Sequence, residues 1–144
     1  DDYRPRASQP TLANAMDVGA PSNFERLRWL YAGDDAALRA AFTAIAVDDD
    51  TILETIARRH RLHGEVFCPH TATAVHVLET LRADGVDGDW AVAATAHPAK
   101  FEAVVEPLVG PVEVPPALAE LLERPAHAEP VPPDYDALRA HLLG

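Results

Sequence analysis

The sequence has very little of several residue types, and each shortage limits what the protein can do. It contains one lysine, Lys100, and one cysteine, Cys68, and its seven glycines are scattered along the chain. A single cysteine excludes an internal disulfide and fits a reducing compartment, so we expect a cytoplasmic protein. No apolar run is long enough to span a bilayer, and we expect no membrane partner.

Basic residues are also scarce. Lysine and arginine together number 12 against 23 acidic residues, which gives a net charge of −11. This charge repels nucleic acid phosphates unless a local basic patch exists. The one such patch, Arg58, Arg59 and Arg61, ends a predicted helix that begins after Asp48–Asp50, the charge arrangement that a helix dipole favours. We therefore expect no nucleic acid partner.

What the chain does have is helical periodicity with recognisable start and stop residues. A capping box formed by Ser22 and Glu25 predicts the start of the first helix. The further helices are predicted at 35–44, from 49 to just before Gly64, at 72–82, from Pro98 to about 109, at 116–123 and from Asp134 to 143, with 124–134 as a proline-rich extended linker.

Two short segments, Glu65–Cys68 and Trp90–Ala94, are predicted as strands, with a weaker third candidate at Val112–Val114. Trp90–Ala94 is apolar at every position, which is typical of a central strand in a parallel sheet. Such a strand needs a neighbour on each side to satisfy its backbone, and the chain supplies too few. We therefore predict an α/β fragment of a larger domain, helix-rich, with one or two central parallel strands and an incomplete sheet.

The polar residues Thr95 and His97 follow the predicted strand Trp90–Ala94 and precede Pro98, which can open a helix. In open α/β sheets, ligands bind beyond the carboxyl ends of the strands. The turn is therefore a candidate site, although an ordinary β-α turn with a hydrogen-bonded histidine would have the same pattern.

A second polar cluster, Asn14, Asp17, Ser22 and Asn23, precedes the first predicted helix. A helix N-terminus suits a substrate carboxylate or phosphate, but Ser22 is also explained as a simple cap.

Zinc-type ligands occur close together at His60, His63, Cys68 and His70. Their spacing fits none of the common paired Cys/His patterns, so we predict no metal site.

Three segments resemble the C-terminal part of threonine synthases in the same order and spacing. They are Thr11–Leu27, Cys68–Ala74 and Thr95–Phe101, and the resemblance runs from about Tyr3 through the closing segment Pro132–Arg139. It implies a pyridoxal-phosphate enzyme of fold type II, the tryptophan synthase β-like fold, with residues 1–144 as the C-terminal part of its catalytic domain. The implied reaction converts O-phospho-L-homoserine and water to L-threonine and phosphate, the final step of threonine biosynthesis.

The resemblance also implies that the chain is incomplete as a catalyst. Pyridoxal phosphate needs a lysine that binds it covalently and a glycine-rich loop for its phosphate, and in the family both lie upstream of the matched region. Lys100 matches a different lysine of the family. We therefore expect the isolated chain to be inactive, with no catalytic residue of its own, and its partner to be an N-terminal segment that binds the cofactor.

Site roles follow from the same resemblance. Thr95 matches the position whose hydroxyl, in similar enzymes, hydrogen-bonds the pyridine nitrogen of the cofactor. The substrate-binding candidates are Asn14, Asp17, Asn23, His97 and Lys100. Two of them have ordinary alternatives, since His97 could simply fix the loop and Lys100 could project to solvent. A second hypothesis is a non-catalytic remnant or interaction module that binds a partner through uncovered apolar surface.

Overall fold

Helices joined by extended loops make up the described part of the chain. The computed structural model describes residues 4, 6–14 and 18–143, and within these ranges no strand is present. The α-helices are α1 Phe24–Leu30, α2 Asp35–Ala41, α3 Asp49–His63, α4 Pro69–Ala83, α5 Glu102–Val109, α6 Pro116–Leu122 and α7 Tyr135–Leu143, and a 3₁₀ turn, Pro98–Phe101, precedes α5. The chain divides into two compact units, one ending at Glu113 and one beginning at Val114.

Helix α3 has the boundaries that its sequence predicts. It begins because the Asp48 carboxylate accepts a hydrogen bond of 2.7 Å from the backbone N–H of Thr51. That bond holds the pKa of Asp48 below its ordinary value. The helix ends at Gly64, whose φ of 69° lies in the left-handed region that glycine adopts without a side-chain clash.

The core of the first unit forms where α3 packs against α4 and α5. Ile52 and Ile56 of α3 meet Ala72 of α4 and Val105 of α5, and all four side chains are at most 1% exposed. Partly buried apolar residues surround them: Ala13, Val47, Val66, Phe67, Phe101, Leu108, Val109 and Val112. Segments far apart in sequence therefore share one small core.

Several helix ends differ from the prediction. The Ser22–Glu25 capping box is wrong, because Asn23 is the N-cap of α1, has helical backbone angles and makes no side-chain capping bond. Helix α2 ends at Ala41 rather than near residue 44, because Phe42 is already extended. The predicted helix from Pro98 begins as a 3₁₀ turn and becomes α-helical only at Glu102.

The predicted strands are not confirmed in this chain. Segments 65–68, 90–94 and 112–114 have no strand pairing, and no backbone–backbone hydrogen bond of the described residues involves Trp90–Ala94. Trp90 is 45% exposed. A strand exists only with a hydrogen-bonded neighbour, and the described residues offer none. They therefore show the helix-rich part of the predicted fold and do not confirm its sheet.

An ion-pair network joins α3 to α4 and to the segment after α3. Arg58 donates two hydrogen bonds to the carboxylate of Glu79 on α4, one of them at 3.3 Å. Arg59 donates through Nε to Glu65 at 2.8 Å and through its Nη1 to Glu79 at 3.3 Å. The Arg58 guanidinium, with help from Arg59, holds the pKa of Glu79 below its ordinary value. Two of the three arginines of the basic patch, Arg58 and Arg59, are thus paired within the fold, whereas Arg61 is exposed.

The second unit contains α6, α7 and the proline-rich segment between them, which has no regular secondary structure. Asp134 accepts a hydrogen bond of 2.9 Å from the N–H of Ala137 and so caps α7. Leu121, Leu142 and Leu143 are all more than half exposed. None of the helices in the described ranges is long and apolar enough to cross a bilayer.

The buried centre predicts the effect of truncating Ile56. We expect Ile56→Ala to lower the free energy of unfolding by about 2–4 kcal/mol, because it leaves a cavity where α3, α4 and α5 meet. Chemical denaturation followed by circular dichroism measures this. Leu62→Ala, on the same helix but 60% exposed, is the control and should change stability far less; equal losses would contradict the assigned core.

The ion-pair network predicts a pH-dependent effect of Glu79→Gln. Because folding lowers the pKa of Glu79, its contribution is complete above the ordinary value of 4.5 and is lost as the pH falls through the folded-state pKa. We expect the variant to be less stable than wild type by about 1 kcal/mol at neutral pH. Denaturation curves should show that difference disappearing toward a pH of about 3.

The control for this network is Glu54→Gln. Glu54 lies on α3, is exposed and interacts with Arg58 only through space. Its substitution should lower the free energy of unfolding at neutral pH by less than Glu79→Gln does. A Glu79→Gln difference that is constant with pH would show that the carboxylate charge is unimportant.

Candidate functional site

Thr95 lies at the end of the extended segment 90–94, in a loop that leads into the 3₁₀ turn. Pro98 opens that turn, and Ala99, only 7% exposed, anchors it in the first unit. Thr95 and His97 are exposed on the solvent side of this anchor. The Thr95 hydroxyl makes no hydrogen bond with the residues that the structure describes. It is thus available to a ligand.

A mostly apolar groove of about 580 Å³ is lined by Ala94 and Ala96, the two neighbours of Thr95, but not by Thr95 itself. Its residues come from three segments: Val66, Phe67, Cys68, Thr71, Ala94, Ala96, His97, Pro98, Val112 and Glu113. These segments include parts of the unpaired stretches 65–68 and 90–94 and the start of α4. The groove therefore brings together two of the three segments that carried the family resemblance.

His97 fixes the loop in which it lies. Its Nδ1 accepts a hydrogen bond of 3.2 Å from the N–H of Ala99, and its carbonyl accepts one of 3.1 Å from the N–H of Lys100. A neutral imidazole whose Nδ1 accepts carries its proton on Nε2. His97 therefore acts as the N-cap of the 3₁₀ turn, and its Nε2–H remains able to donate to a ligand.

Lys100 is exposed at the third residue of the 3₁₀ turn. Its ammonium forms no ion pair among the described residues, and it does not line the groove beside Thr95. The structure thus places Thr95, His97 and Lys100 along one six-residue loop, with Lys100 at the far end from Thr95.

The other predicted substrate contacts lie elsewhere in the first unit. Asn23 is exposed at the start of α1, and Asn14 is exposed in the segment that precedes α1. Neither lines the groove beside Thr95. Asp17 lies outside the described residues. The structure therefore does not gather these residues and Thr95 into one site.

One polar contact in this region has no counterpart in the sequence analysis. Asp49, the first residue of α3, accepts hydrogen bonds from the Thr11 hydroxyl at 2.6 Å and from the Leu12 N–H at 3.0 Å. In the sequence, the helix dipole explains Asp48–Asp50 together, although a single acid is enough to cap the helix. The two additional acids were the only sequence signal that one of them has a different partner.

The residues of the zinc alternative have other roles. The Cys68 thiol lies 3.3 Å from the Thr71 hydroxyl, and its sulfur accepts from the Thr71 N–H at 3.5 Å. The His70 ring packs edge-on against Phe101, with ring centres 5.3 Å apart. Over the described ranges, no group of three or more His, Cys, Asp or Glu side chains is placed to hold a metal ion.

The described residues could contact the ring of pyridoxal phosphate, but they do not provide a site for its phosphate group. An available threonine hydroxyl beside an apolar groove suits the nitrogen of a flat heteroaromatic ring. The phosphate would need a cradle of backbone N–H groups, and the described glycines form no glycine-rich run: they lie at 19, 33, 64, 85, 88 and 110, with only Gly85 and Gly88 close together. Thr95 can therefore supply a ring contact, while the phosphate must be held by other residues.

The His97 cap predicts a measurable change in the loop. We expect His97→Ala to speed hydrogen exchange at the Ala99 amide, because that N–H loses its acceptor. His97→Asn should retain most of the protection, since asparagine is a good N-cap. Hydrogen exchange followed by NMR or mass spectrometry measures this, with amides of α3 as the internal reference. Equal exchange rates at Ala99 in His97→Ala and His97→Asn would contradict the capping role of His97.

Comparisons with known proteins agree on one family. A family model described as threonine synthase, C-terminal, matches residues 71–142. The threonine synthase of Escherichia coli K12 is 37% identical over 142 residues, and that of Serratia marcescens is 35% identical over 143 residues. These alignments cover 98% and 99% of this chain but 32% of each relative. The chain spans about a third of the length of the curated relatives it matches.

Solved structures give the same result. The crystal structure of threonine synthase from Escherichia coli superimposes with a TM-score of 0.69 at 34% identity, covering 99% of this chain and 32% of that one. The structure of pyridoxal-phosphate-bound threonine synthase from Brucella melitensis gives a TM-score of 0.60 at 29% identity, covering 85% of this chain.

Proposed function

The chain belongs to the threonine synthase family, and from this premise we propose that it forms the C-terminal part of a pyridoxal-phosphate-dependent threonine synthase. The complete enzyme would convert O-phospho-L-homoserine and water to L-threonine and inorganic phosphate in the cytoplasm. The observation that carries the proposal is the exposed, unbonded hydroxyl of Thr95 beside an apolar groove, in a segment that matches the family.

An N-terminal segment would supply what these residues lack. The one lysine, Lys100, lies in an exposed turn and matches a non-catalytic position of the family. The described glycines form no phosphate loop. Relatives about three times as long have room for both features. We therefore assign the cofactor-binding lysine and the phosphate loop to that segment, and expect the chain alone to be inactive.

The unpaired extended segments are the proposed junction with the rest of the enzyme. Residues 66–68 and 90–94 are apolar, and their backbone has no strand partner among the residues that the structure describes. Strands from the N-terminal segment would complete the hydrogen bonding and cover Trp90. Residues 1–144 would then form the C-terminal part of one catalytic domain with one or two central parallel strands.

Each candidate residue has a definite task in this mechanism. Pyridoxal phosphate, when bound, supplies the electron withdrawal that labilises bonds at the amino-acid substrate. The hydroxyl of Thr95 would donate to the ring nitrogen, leaving that nitrogen unprotonated, in contrast to a carboxylate partner. Nε2–H of His97 would donate to a substrate oxygen, and Lys100 would attract the anionic substrate.

Asn14, Asp17 and Asn23 are the proposed polar contacts of the substrate. Asn14 and Asn23 are both exposed and can donate through their amides to carboxylate or phosphate oxygens. They would meet the substrate from a side of the site different from that of Thr95.

A non-catalytic interaction module is the alternative, favoured by the apolar surface of α1. Trp29 and Leu30 are 83% and 65% exposed. Surface of this kind would suit a partner protein, although the incomplete fold explains it equally.

Complementation separates the two functions. The chain is mixed or fused with the N-terminal segment of a matching threonine synthase, and phosphate release from O-phospho-L-homoserine is measured. The proposal expects release from the combination and none from the chain alone. A mixture that forms a folded complex but releases no phosphate would contradict the proposed enzymatic function and support the interaction module.

Within the active combination, Thr95→Val removes the hydroxyl while keeping the side-chain shape. We expect a loss of about tenfold or more in kcat, because an unmet hydrogen bond at the ring nitrogen changes the cofactor's electronics. Thr95→Ser, which keeps the hydroxyl, is the matched control and should retain most activity.

A further inference from the structure

A single carboxylate oxygen connects the start of the family-like segment Thr11–Leu27 to α3. Oδ1 of Asp49 accepts from the Thr11 hydroxyl at 2.6 Å and from the Leu12 N–H at 3.0 Å. The same Thr11 hydroxyl oxygen accepts from the N–H of Ala13 at 3.4 Å. Three consecutive residues are therefore held, directly or through Thr11, by one acidic side chain 37 and 38 positions away.

Asp49 is itself rigidly placed. It opens α3 directly after the Asp48 cap, whose carbonyl accepts from the N–H of Ile52 at 3.1 Å. Ile52 is 1% exposed and belongs to the core shared by α3, α4 and α5. The carboxylate is thus attached to a helix that the core holds in place.

The held segment ends next to a candidate substrate residue. Ala13 packs against the same core, and exposed Asn14 follows it. With Leu12 bonded to Asp49 and Ala13 against the core, the backbone that carries Asn14 has little freedom. A site residue on a loop works only when its neighbours fix it in this way.

We propose that Asp49 is a positioning residue of the substrate site: its carboxylate holds Thr11 and Leu12 so that Asn14 is presented to the substrate in one orientation. The inference rests on the proposed function, because it assumes that Asn14 meets the substrate. Asp49 touches no reacting group in this role and acts through the segment 11–14.

Asp50 provides a matched control. It has the same charge, lies in the same first turn of α3 and complements the same helix dipole, but it is exposed and forms no hydrogen bond or ion pair with described residues. A difference between Asp49→Ala and Asp50→Ala therefore reports the contacts with Thr11 and Leu12 rather than the helix dipole or net charge.

Hydrogen exchange at the Leu12 amide tests the contact without any activity. In the 144-residue chain, we expect Asp49→Ala to speed that exchange by about tenfold or more relative to amides of α4. Asp50→Ala should leave it unchanged, and Asp49→Asn, whose oxygen can still accept, should restore most of the protection. Equal exchange at Leu12 in Asp49→Ala and Asp50→Ala would overturn the inference.

Kinetics of the complete enzyme test the consequence for the substrate. Asp49→Ala should raise KM for O-phospho-L-homoserine by about tenfold while kcat changes much less, because the affected group binds rather than reacts. Asp49→Asn should lie near wild type. A fall in kcat at unchanged KM would overturn the inference. If the complete wild-type enzyme releases no phosphate, the proposed function fails, while exchange at Leu12 still decides whether Asp49 holds the segment.

Discussion

The packing of α3 against α4 and α5 is the contact on which the rest of the first unit depends. Ile52 and Ile56 present adjacent turns of α3 to Ala72 and Val105, and these side chains are essentially removed from water. Burying them is the principal source of stability in so small a core. The Arg58–Glu79 pair lies farther along the same helices and adds a polar tie between α3 and α4. Ala13, next to Asn14, packs against the core of this helix group, and the 3₁₀ turn that follows Thr95 and His97 leads into α5.

The two ends of that group have different tasks. At the N-terminus of α3, Asp48 satisfies the helix while Asp49 reaches across to Leu12, so neighbouring acids in one run divide the work of capping and holding. Beside α5, the 3₁₀ turn is capped by His97, which itself lines an apolar groove two residues after Thr95. The segment that leads to Asn14 and the turn that follows Thr95 are thus held by separate contacts, and under the proposed function they would meet different sides of the substrate.

The uncovered surface has one physical explanation that also fits the comparisons. Extended segments 66–68 and 90–94 are apolar enough for the interior of a sheet, and yet no strand lies beside them among the described residues. Backbone groups left this way favour pairing with further strands. The chain spans about a third of the length of its relatives, and under the proposed function the rest of the enzyme would supply those strands. The same part of the enzyme would also supply the phosphate loop and the cofactor-binding lysine.

Local chemistry in the sequence determined the helices, the family and the incompleteness of the site. The start of α3 at Asp49, its end at Gly64, the cap at Asp134 and the helical stripes depend on neighbours within a few residues, which is why pattern alone predicts them. The predicted strands were not confirmed, because a strand depends on hydrogen bonds with a neighbouring strand that no local sequence pattern supplies. The choice of Asp49 over Asp50 as the acceptor for Thr11 and Leu12, and the burial of Ile52 and Ile56, were decided only by tertiary structure, since both depend on which atoms distant in sequence come within hydrogen-bonding or packing distance once the chain has folded.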